Sequence, residues 1–253
     1  MKLSVIIPAK DEEATLGLVL EDLNKTIAEL PGYEVEVICV DDHCRDRTAA
    51  IARSYGARLV ENRRTPGKGH ALRAGFEAAG GDLLLMMDAD YSHRPEDIPN
   101  FLHAMREGVG LVIGSRVFGG SEEYNHVRAM GNVFLSASVG LFMGRYLSDA
   151  LNGYKLFRRE VFTDFRYGSR NFEIEIEIIA NALRKGYRVV EVISHERARA
   201  GGVMKSSAVR HGPRFLARII WEGFKGVKAK DAPAVVGAPA APPDSAADTS
   251  SIR

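Results

Sequence analysis

The sequence predicts an α/β protein with a doubly wound, mostly parallel sheet. Over about the first 115 residues, short β-rich runs alternate with helix-length amphipathic segments, as in parallel sheets covered by helices. The fourth run, 83–87, holds five apolar residues and ends in two carboxylates, Asp88 and Asp90. Such a short apolar run is typical of a strand that is buried on both faces. In the second half of the sequence, this alternation is less regular.

Five strands and four helices are predicted for the first half. The strands are expected at 3–7, 35–40, 57–61, 83–87 and 110–114. The helices are expected at 12–30, 47–55, 70–79 and 95–107. The first helix carries Leu16, Leu20 and Leu23 on one face. Asp46 is expected to cap the second.

The second half is predicted to add two helices and two strands. The helices are expected at 127–143 and 172–185, and the strands at 154–157 and 187–193. Glu173, Glu175 and Glu177 are interpreted as a charged, solvated face of the second helix. A cation-rich segment with an apolar face over 215–224 follows. Residues 228–253, rich in Ala and Pro, are expected to be a disordered tail.

Composition excludes several classes of function. With 45% hydrophobic and 26% charged residues, the 253-residue chain is typical of a globular protein. A net charge of +1 argues against a nucleic-acid partner. Two cysteines form neither a disulfide framework nor a set of metal ligands. Because we find neither a signal peptide nor an apolar run of ~20 residues, a cytoplasmic location is expected.

Polar residues follow four of the predicted strands. They are Asp11 and Glu12 after the first, which ends at Pro8, Asp41 and Asp42 after the second, Lys68 after the third, and Asp88 and Asp90, on either side of Ala89, after the fourth. The carboxyl ends of parallel strands meet at one edge, where open α/β sheets bind ligands. A carboxylate pair such as Asp88 and Asp90 can hold Mg²⁺ or Mn²⁺ while a diphosphate completes the coordination. Lys68 and the backbone N–H groups of 67–69 can meet phosphate, so a nucleotide-sugar explains the set.

Five motifs carry a resemblance to a known family. They are Val5-Ile-Ile-Pro8 with Asp11-Glu12, Val40-Asp41-Asp42, Gly67-Lys-Gly69, Met87-Asp-Ala-Asp90 and Gly114-Ser-Arg116. In order and spacing they resemble the family 2 glycosyltransferases, which have the GT-A fold. Asp90-Tyr-Ser-His-Arg-Pro-Glu and Gly186-Tyr-Arg-Val-Val-Glu-Val192 are similar to the dolichol- or polyprenol-phosphate mannose synthase branch. The resemblance covers roughly 3–227.

The resemblance implies one Rossmann-like GT-A domain over 1–227, with a nucleotide-sugar half at 1–115 and a short acceptor-side extension at 116–227. It implies that Asp88 and Asp90 hold the metal, and that Arg116 and Arg128 hold an acceptor phosphate. Asp149 matches an acid of the branch. The nucleotide-sugar pocket is expected to contain Pro8, Asp11, Glu12, Asp41, Asp42, Lys68 and Ala89, with Arg197 and Lys205 from a basic loop that closes over the diphosphate.

The implied reaction is inverting, metal-dependent transfer of a hexose, mannose or glucose, from a GDP- or UDP-sugar to a polyprenyl or dolichyl phosphate. A divalent ion stabilises charge on the leaving diphosphate. A lipid phosphate is already anionic, so it needs no general base, and arginines suit it as partners.

Three alternatives stay open at this point. A soluble or glycan hydroxyl acceptor would need a general base, for which Asp149 is the first candidate. A non-catalytic sugar-nucleotide-binding subunit is the second alternative, against which the intact Asp88 and Asp90 argue. The cation-rich segment with Trp221 permits either peripheral contact with the cytoplasmic membrane face or a membrane partner subunit.

Overall fold

The computed structural model describes residues 1–123, 126–163, 165–201 and 208–227, with side chains omitted for 208–210. The predicted tail 228–253 and Lys205 lie outside these ranges. The strands are β1 (Lys2–Ala9), β2 (Glu34–Asp41), β3 (Arg58–Glu61), β4 (Leu83–Met86), β5 (Val109–Ser115), β6 (Lys155–Arg158) and β7 (Arg188–Ile193). The helices are α1 (Leu16–Ala28), α2 (Thr48–Ser54), α3 (Lys68–Ala78), α4 (Ile98–Ala104), α5 (Arg116–Gly119), α6 (His126–Met143), α7 (Arg159–Phe162), α8 (Ile174–Arg184) and α9 (Ala208–Phe224). The predicted mixed α/β class is confirmed.

The seven strands form one mostly parallel sheet in the order β3-β2-β1-β4-β6-β5-β7. Only β6 is antiparallel to its neighbours: Leu156 lies opposite Leu85 of β4 and Val112 of β5. The sequence predicted a strand here but not its direction. Because β6 is reversed, the turn that enters it lies at the edge where β4 and β5 end.

Helices cover both faces of the sheet, and alternate residues of each strand enter different cores. Val5 and Ile7 pack with α1, α2 and α4 on one face, whereas Ile6 and Met86 pack with α3, α6, α8 and α9 on the other. β4 is buried along its whole length, as its uniformly apolar sequence indicated. In the described part of the chain, no helix is both long and apolar enough to cross a membrane.

The glutamates of α8 are buried, so the interpretation as a solvated charged face is wrong. Glu175 and Glu177 are 2% and 1% exposed. Arg218 of α9 contacts Glu177 at 3.0 Å, and Lys68 of α3 contacts Glu175 at 3.1 Å. Burial is tolerated because each carboxylate has a cation from a different element. These pairs join α8 to the helices on either side.

Candidate active site

A cavity of about 630 Å³ lies at the carboxyl ends of β1 and β4, where the sequence predicted a site. Ten of the predicted residues line it: Pro8, Asp11, Glu12, Asp42, Lys68, Asp88, Ala89, Asp90, Arg116 and Arg128. The turn before β6 also reaches this cavity through Asn152 and Gly153. The reversed strand therefore brings residues from the second half of the chain to the edge that carries Asp88 and Asp90.

Of the predicted site residues that the structure describes, three do not line the cavity: Asp41, Asp149 and Arg197. The guanidinium of Arg197 contacts Asp22 at 3.1 Å and Glu96 at 2.9 Å, and it lies over the ring of Tyr91. Arg199, two residues further on, lines the cavity instead.

Asp11 and Asp41 fix the loop that follows β2. Asp11 adopts a left-handed backbone conformation with φ of 51°, and its carboxylate accepts the backbone N–H of Arg45 at 2.7 Å. Asp41 accepts the backbone N–H of Cys44 at 2.7 Å. Their carboxylates thus hold this loop beside Pro8, at the rim of the cavity.

Lys68 lies between two carboxylates in the cavity wall. Its ammonium contacts Asp88 at 2.7 Å and Glu175 at 3.1 Å. Burial alone would lower the pKa of Lys68, but the two carboxylates outweigh burial and raise it. Burial would likewise raise the pKa of Asp88, yet the adjacent ammonium holds it well below its ordinary value. Asp88 is therefore an ionised carboxylate at neutral pH. Sequence reasoning missed Glu175, because its partner is 107 positions away.

Asp90 is buried and makes two kinds of contact. One oxygen accepts the hydroxyl of Ser92 at 2.6 Å and its backbone N–H at 3.1 Å. The other contacts the guanidinium of Arg199 at 2.8 Å. Arg199 supplies positive charge beside the carboxylate pair, whereas the resemblance had named Arg197 of the same loop as a ligand of the diphosphate.

A hydrogen-bond relay connects Asp88 to the turn before β6. The backbone N–H of Asp88 donates to Nδ1 of His93 at 3.0 Å, so that nitrogen carries no proton. Nε2 of His93 then donates to Oδ1 of Asn152 at 3.2 Å. The amide of Asn152 donates to the carbonyl of Gly114 at 2.7 Å. Asn152 thus connects the ends of β4 and β5.

Arg116 is held by a buried fork. Its Nε and one terminal nitrogen donate to the two oxygens of Asp149 at 2.7 and 2.8 Å. The other terminal nitrogen donates to Glu196 at 3.1 Å. Asp149 is fully buried, and Arg128 pairs with Glu123 at 3.6 Å. Both arginines line the cavity while carboxylates behind them fix their positions.

The glycines around Lys68 pack against the 169–171 segment. The N–H of Gly67 donates to Asp42 at 2.9 Å, and that of Gly69 donates to the carbonyl of Arg170 at 2.9 Å. A Cβ at Gly69 would lie 2.5 Å from the carbonyl oxygen of Ser169. The expectation that these two N–H groups bind phosphate is therefore corrected, because both are used inside the protein.

A second cavity, of about 440 Å³, adjoins the first between α6 and α9. Arg116 and Arg128 line both cavities. Its remaining walls are largely apolar and include Phe134, Leu135, Leu151, Phe172, Pro213, Phe215 and Leu216. A polar cavity with two arginines thus opens into an apolar one.

The carboxylates of Asp88 and Asp90 suit a hard divalent cation, because both line the cavity and Asp88 is ionised. A second cluster in the described residues consists of Asp11, Cys44 and Asp46. The thiol of Cys44 donates to the carbonyl of Ala9 at 3.3 Å, and burial raises its pKa to about 12. The carboxylates of Asp11 and Asp46 accept backbone N–H groups at 2.7 and 2.9 Å. The donor chemistry therefore favours Asp88 and Asp90.

A doubly wound sheet with one reversed strand and a carboxylate pair at its ligand edge defines a GT-A glycosyltransferase. The chain belongs to glycosyl transferase family 2, whose family model matches residues 4–166. A dolichyl-phosphate hexose transferase of Haloferax volcanii is 30% identical over 79% of this chain and 84% of its own length. A dolichol-phosphate mannosyltransferase of Pyrococcus furiosus is 31% identical over 88% of this chain, which spans 65% of that relative.

The fold likeness extends to a solved structure. Glucosyl-3-phosphoglycerate synthase from Mycobacterium tuberculosis, crystallised with Mn²⁺, UDP and its product, has a TM-score of 0.68 and 22% sequence identity. The match covers 88% of this chain and 80% of that one. At this identity the likeness concerns the fold. The predicted enzyme class and the resemblance to dolichol-phosphate mannose synthases are confirmed by the family and its curated relatives.

Proposed function

We propose that the protein transfers a hexose, mannose or glucose, from a GDP- or UDP-sugar to a polyprenyl phosphate. One observation carries the acceptor assignment: Arg116 and Arg128 line both the polar cavity and the adjoining apolar one. If the acceptor phosphate binds to these two arginines, its prenyl chain would lie in the adjoining apolar cavity. The two relatives above, named for dolichyl- and dolichol-phosphate transfer, support the same acceptor class.

The transfer forms a bond from an acceptor phosphate oxygen to the anomeric carbon and breaks that carbon's bond to the diphosphate. Negative charge passes to the leaving diphosphate. Lys68 and Arg199 contact the carboxylate pair, so both cations would lie near a diphosphate bound there and would stabilise its charge. Asp88 and Asp90 would hold Mg²⁺ or Mn²⁺, which supplies Lewis-acid stabilisation of the same charge when bound.

Asp149 acts as a positioning residue in this proposal. Both of its oxygens contact Arg116, and it is fully buried, so it meets no acceptor directly. This geometry disfavours the alternative of a hydroxyl acceptor with Asp149 as general base. The non-catalytic alternative is disfavoured because the Asp88–Lys68 and Asp90–Arg199 pairs both face the cavity.

The exposed apolar surface supports contact with the cytoplasmic face of a membrane. Val127, Met130, Phe134 and Leu141 of α6 are exposed at spacings that share one helix face, and Trp221 and Phe224 of α9 are exposed as well. Phe134 also lines the apolar cavity. Apolar surface beside the cavity mouth lets a lipid acceptor enter without leaving the bilayer, and Lys225 beside Trp221 suits anionic headgroups.

The test is transfer of radiolabel from GDP-mannose, UDP-glucose and UDP-N-acetylglucosamine to phosphates of increasing prenyl length. We expect metal-dependent label in an organic-soluble, mild-acid-labile product, with affinity rising over the first isoprene units. Each buried methylene contributes about 0.8 kcal/mol. Label that appears only in water-soluble glycan would contradict the proposal.

Arg128→Gln supplies the site variant for this assay. We expect weaker binding of the lipid phosphate with unchanged binding of the nucleoside diphosphate. Arg106→Gln is the matched control, because Arg106 precedes β5 and bonds to His103, away from the cavity. Equal effects of the two substitutions would contradict the arginine assignment.

A further inference from the structure

Lys155 is a fully buried lysine that neither cavity contains. It is the first residue of β6 and lies opposite Met86 of β4 and Ile113 of β5. Its ammonium donates to the carbonyl of Ala150 at 3.1 Å and to the carbonyl of Asn152. A buried ammonium lowers stability unless it is well paired. The presence of a lysine at this buried position therefore needs an explanation other than core packing.

Both carbonyls belong to the 149–153 turn, which supplies three groups to the site. Asp149 holds the fork of Arg116. Asn152 holds His93, and through it the backbone of Asp88. At Gly153 the backbone passes so close that a Cβ would lie 2.8 Å from Nζ of Lys68. A small shift of this turn would move parts of both the donor and the acceptor sides.

Four charged groups face the ammonium of Lys155. Two are carboxylates, Glu175 of α8 and Asp149 of the turn, and two are cations, Lys68 of α3 and Arg116 of α5. The two carboxylates favour the charged form of Lys155, and the two cations oppose it.

We propose that Lys155 is a positioning residue that holds the 149–153 turn and so aligns the acceptor arginine Arg116 with Asp88. The proposal rests on the proposed function for its acceptor readout. The ammonium acts through charge-assisted bonds to two carbonyls, which are stronger than those of a neutral amine.

The proposed role predicts that the rate of transfer depends on pH. Burial lowers the pKa of Lys155 to about 8, although Glu175 and Asp149 oppose the shift. As pH rises through this value, the ammonium loses its charge and its hold on the turn weakens. We expect transfer to decline on the alkaline side with an apparent pKa near 8. Lys155→Arg keeps the charge, so its decline should move to higher pH.

The main variant is Lys155→Met, which keeps the length of the side chain and removes the ammonium. Lys185→Met is the matched control, because the ammonium of Lys185 also donates to two carbonyls, those of Glu160 and Thr163, at an exposed position. Two readouts are compared: kcat and KM for the polyprenyl phosphate, and hydrogen exchange of the 149–153 backbone, which needs no substrate.

We expect Lys155→Met to stay folded and to lose about 100-fold in kcat/KM for the acceptor, the typical cost of misplacing a group by about 1 Å. Its turn should exchange faster while β1 and β2 exchange as in the wild type. Binding of the nucleoside diphosphate should change less than that of the acceptor. Lys185→Met should change none of these.

Unchanged exchange of the turn, or unchanged acceptor kinetics in a folded Lys155→Met, would overturn the proposal. If this variant fails to fold, the wild-type pH profile decides: a flat profile up to pH 9.5, or a decline that Lys155→Arg leaves in place, overturns it. If the wild type labels no lipid at all, the proposed function fails instead, and the exchange measurement still decides whether Lys155 holds the turn.

Discussion

Asp149→Asn is the substitution that separates positioning from general-base catalysis. The wild-type carboxylate accepts two side-chain bonds from Arg116 and its backbone N–H at 3.0 Å. Asparagine has the same shape but a single acceptor oxygen. Its NH₂ group would face a guanidinium N–H, so one bond is lost and the remaining bonds lose the contribution of the carboxylate's negative charge.

The expected loss of stability follows from the burial of the Arg116–Asp149 ion pair. Removing one partner of a buried ion pair costs about 3–5 kcal/mol. Arg116 keeps Glu196 and is partly exposed, so we expect the low end, about 3 kcal/mol of unfolding free energy. For a chain of this size that corresponds to about 6–12 °C in Tm. A displaced Arg116 that loses its bond to the acceptor phosphate costs about 2–3 kcal/mol, or about 30- to 150-fold in kcat/KM.

The assay is transfer to polyprenyl phosphate with the nucleotide-sugar saturating, together with thermal melting. The loss should fall mainly on KM for the acceptor. Asp82→Asn is the control, since Asp82 bonds to the backbone of Lys2 at the opposite edge of the sheet. A fall in kcat beyond about 10⁴-fold, with acceptor KM and Tm unchanged, would refute positioning and identify Asp149 as the base.

Three further outcomes are expected. Asp90→Ala should abolish Mn²⁺-stimulated transfer in an EDTA-controlled assay while circular dichroism stays native; full activity would remove the metal assignment. Gly153→Ala should lower transfer by up to about 100-fold, because its Cβ would lie 2.8 Å from Nζ of Lys68 and 3.0 Å from Asp88 and would displace both groups; wild-type kinetics would contradict that clash. Between pH 8 and 10.5 the unfolded chain binds more protons at Lys155 than the folded one, since burial lowers its pKa from 10.5 to about 8. Urea titrations should therefore show the wild type gaining up to about 3 kcal/mol relative to Lys155→Met over this range, and parallel curves would contradict the burial argument.

The sheet edge that carries the site was predictable because apolar runs and parallel connections constrain where strands end. Asp88 and Asp90 follow a short apolar run that is typical of a buried strand, and Lys68 follows a short third strand. Their convergence therefore follows from topology. The resemblance to the polyprenol-phosphate branch, rather than hydropathy, suggested the roles of Arg116 and Arg128.

Partners that are distant in sequence could not be predicted. The burial of Glu175 depends on Lys68, and the relay from His93 depends on Asn152, 59 positions later. The alternating glutamates of α8 also do not indicate which side chains from other elements neutralise them. Arg199 lines the cavity and Arg197, two positions earlier, does not, because the course of the loop decides which side chain reaches the cavity.

The position of β6 has a consequence for folding cooperativity. In the described sheet, this four-residue strand is the hydrogen-bonded seam that joins β3-β2-β1-β4 to β5-β7. β5 precedes β6 in the chain, yet in the sheet it is joined to β1–β4 only through β6, which begins some 40 residues after β5 ends. A nascent chain that ends before residue 155 therefore leaves β5 without a partner. We expect the two sides of the sheet, β3-β2-β1-β4 and β5-β7, to complete their fold together as one cooperative unit.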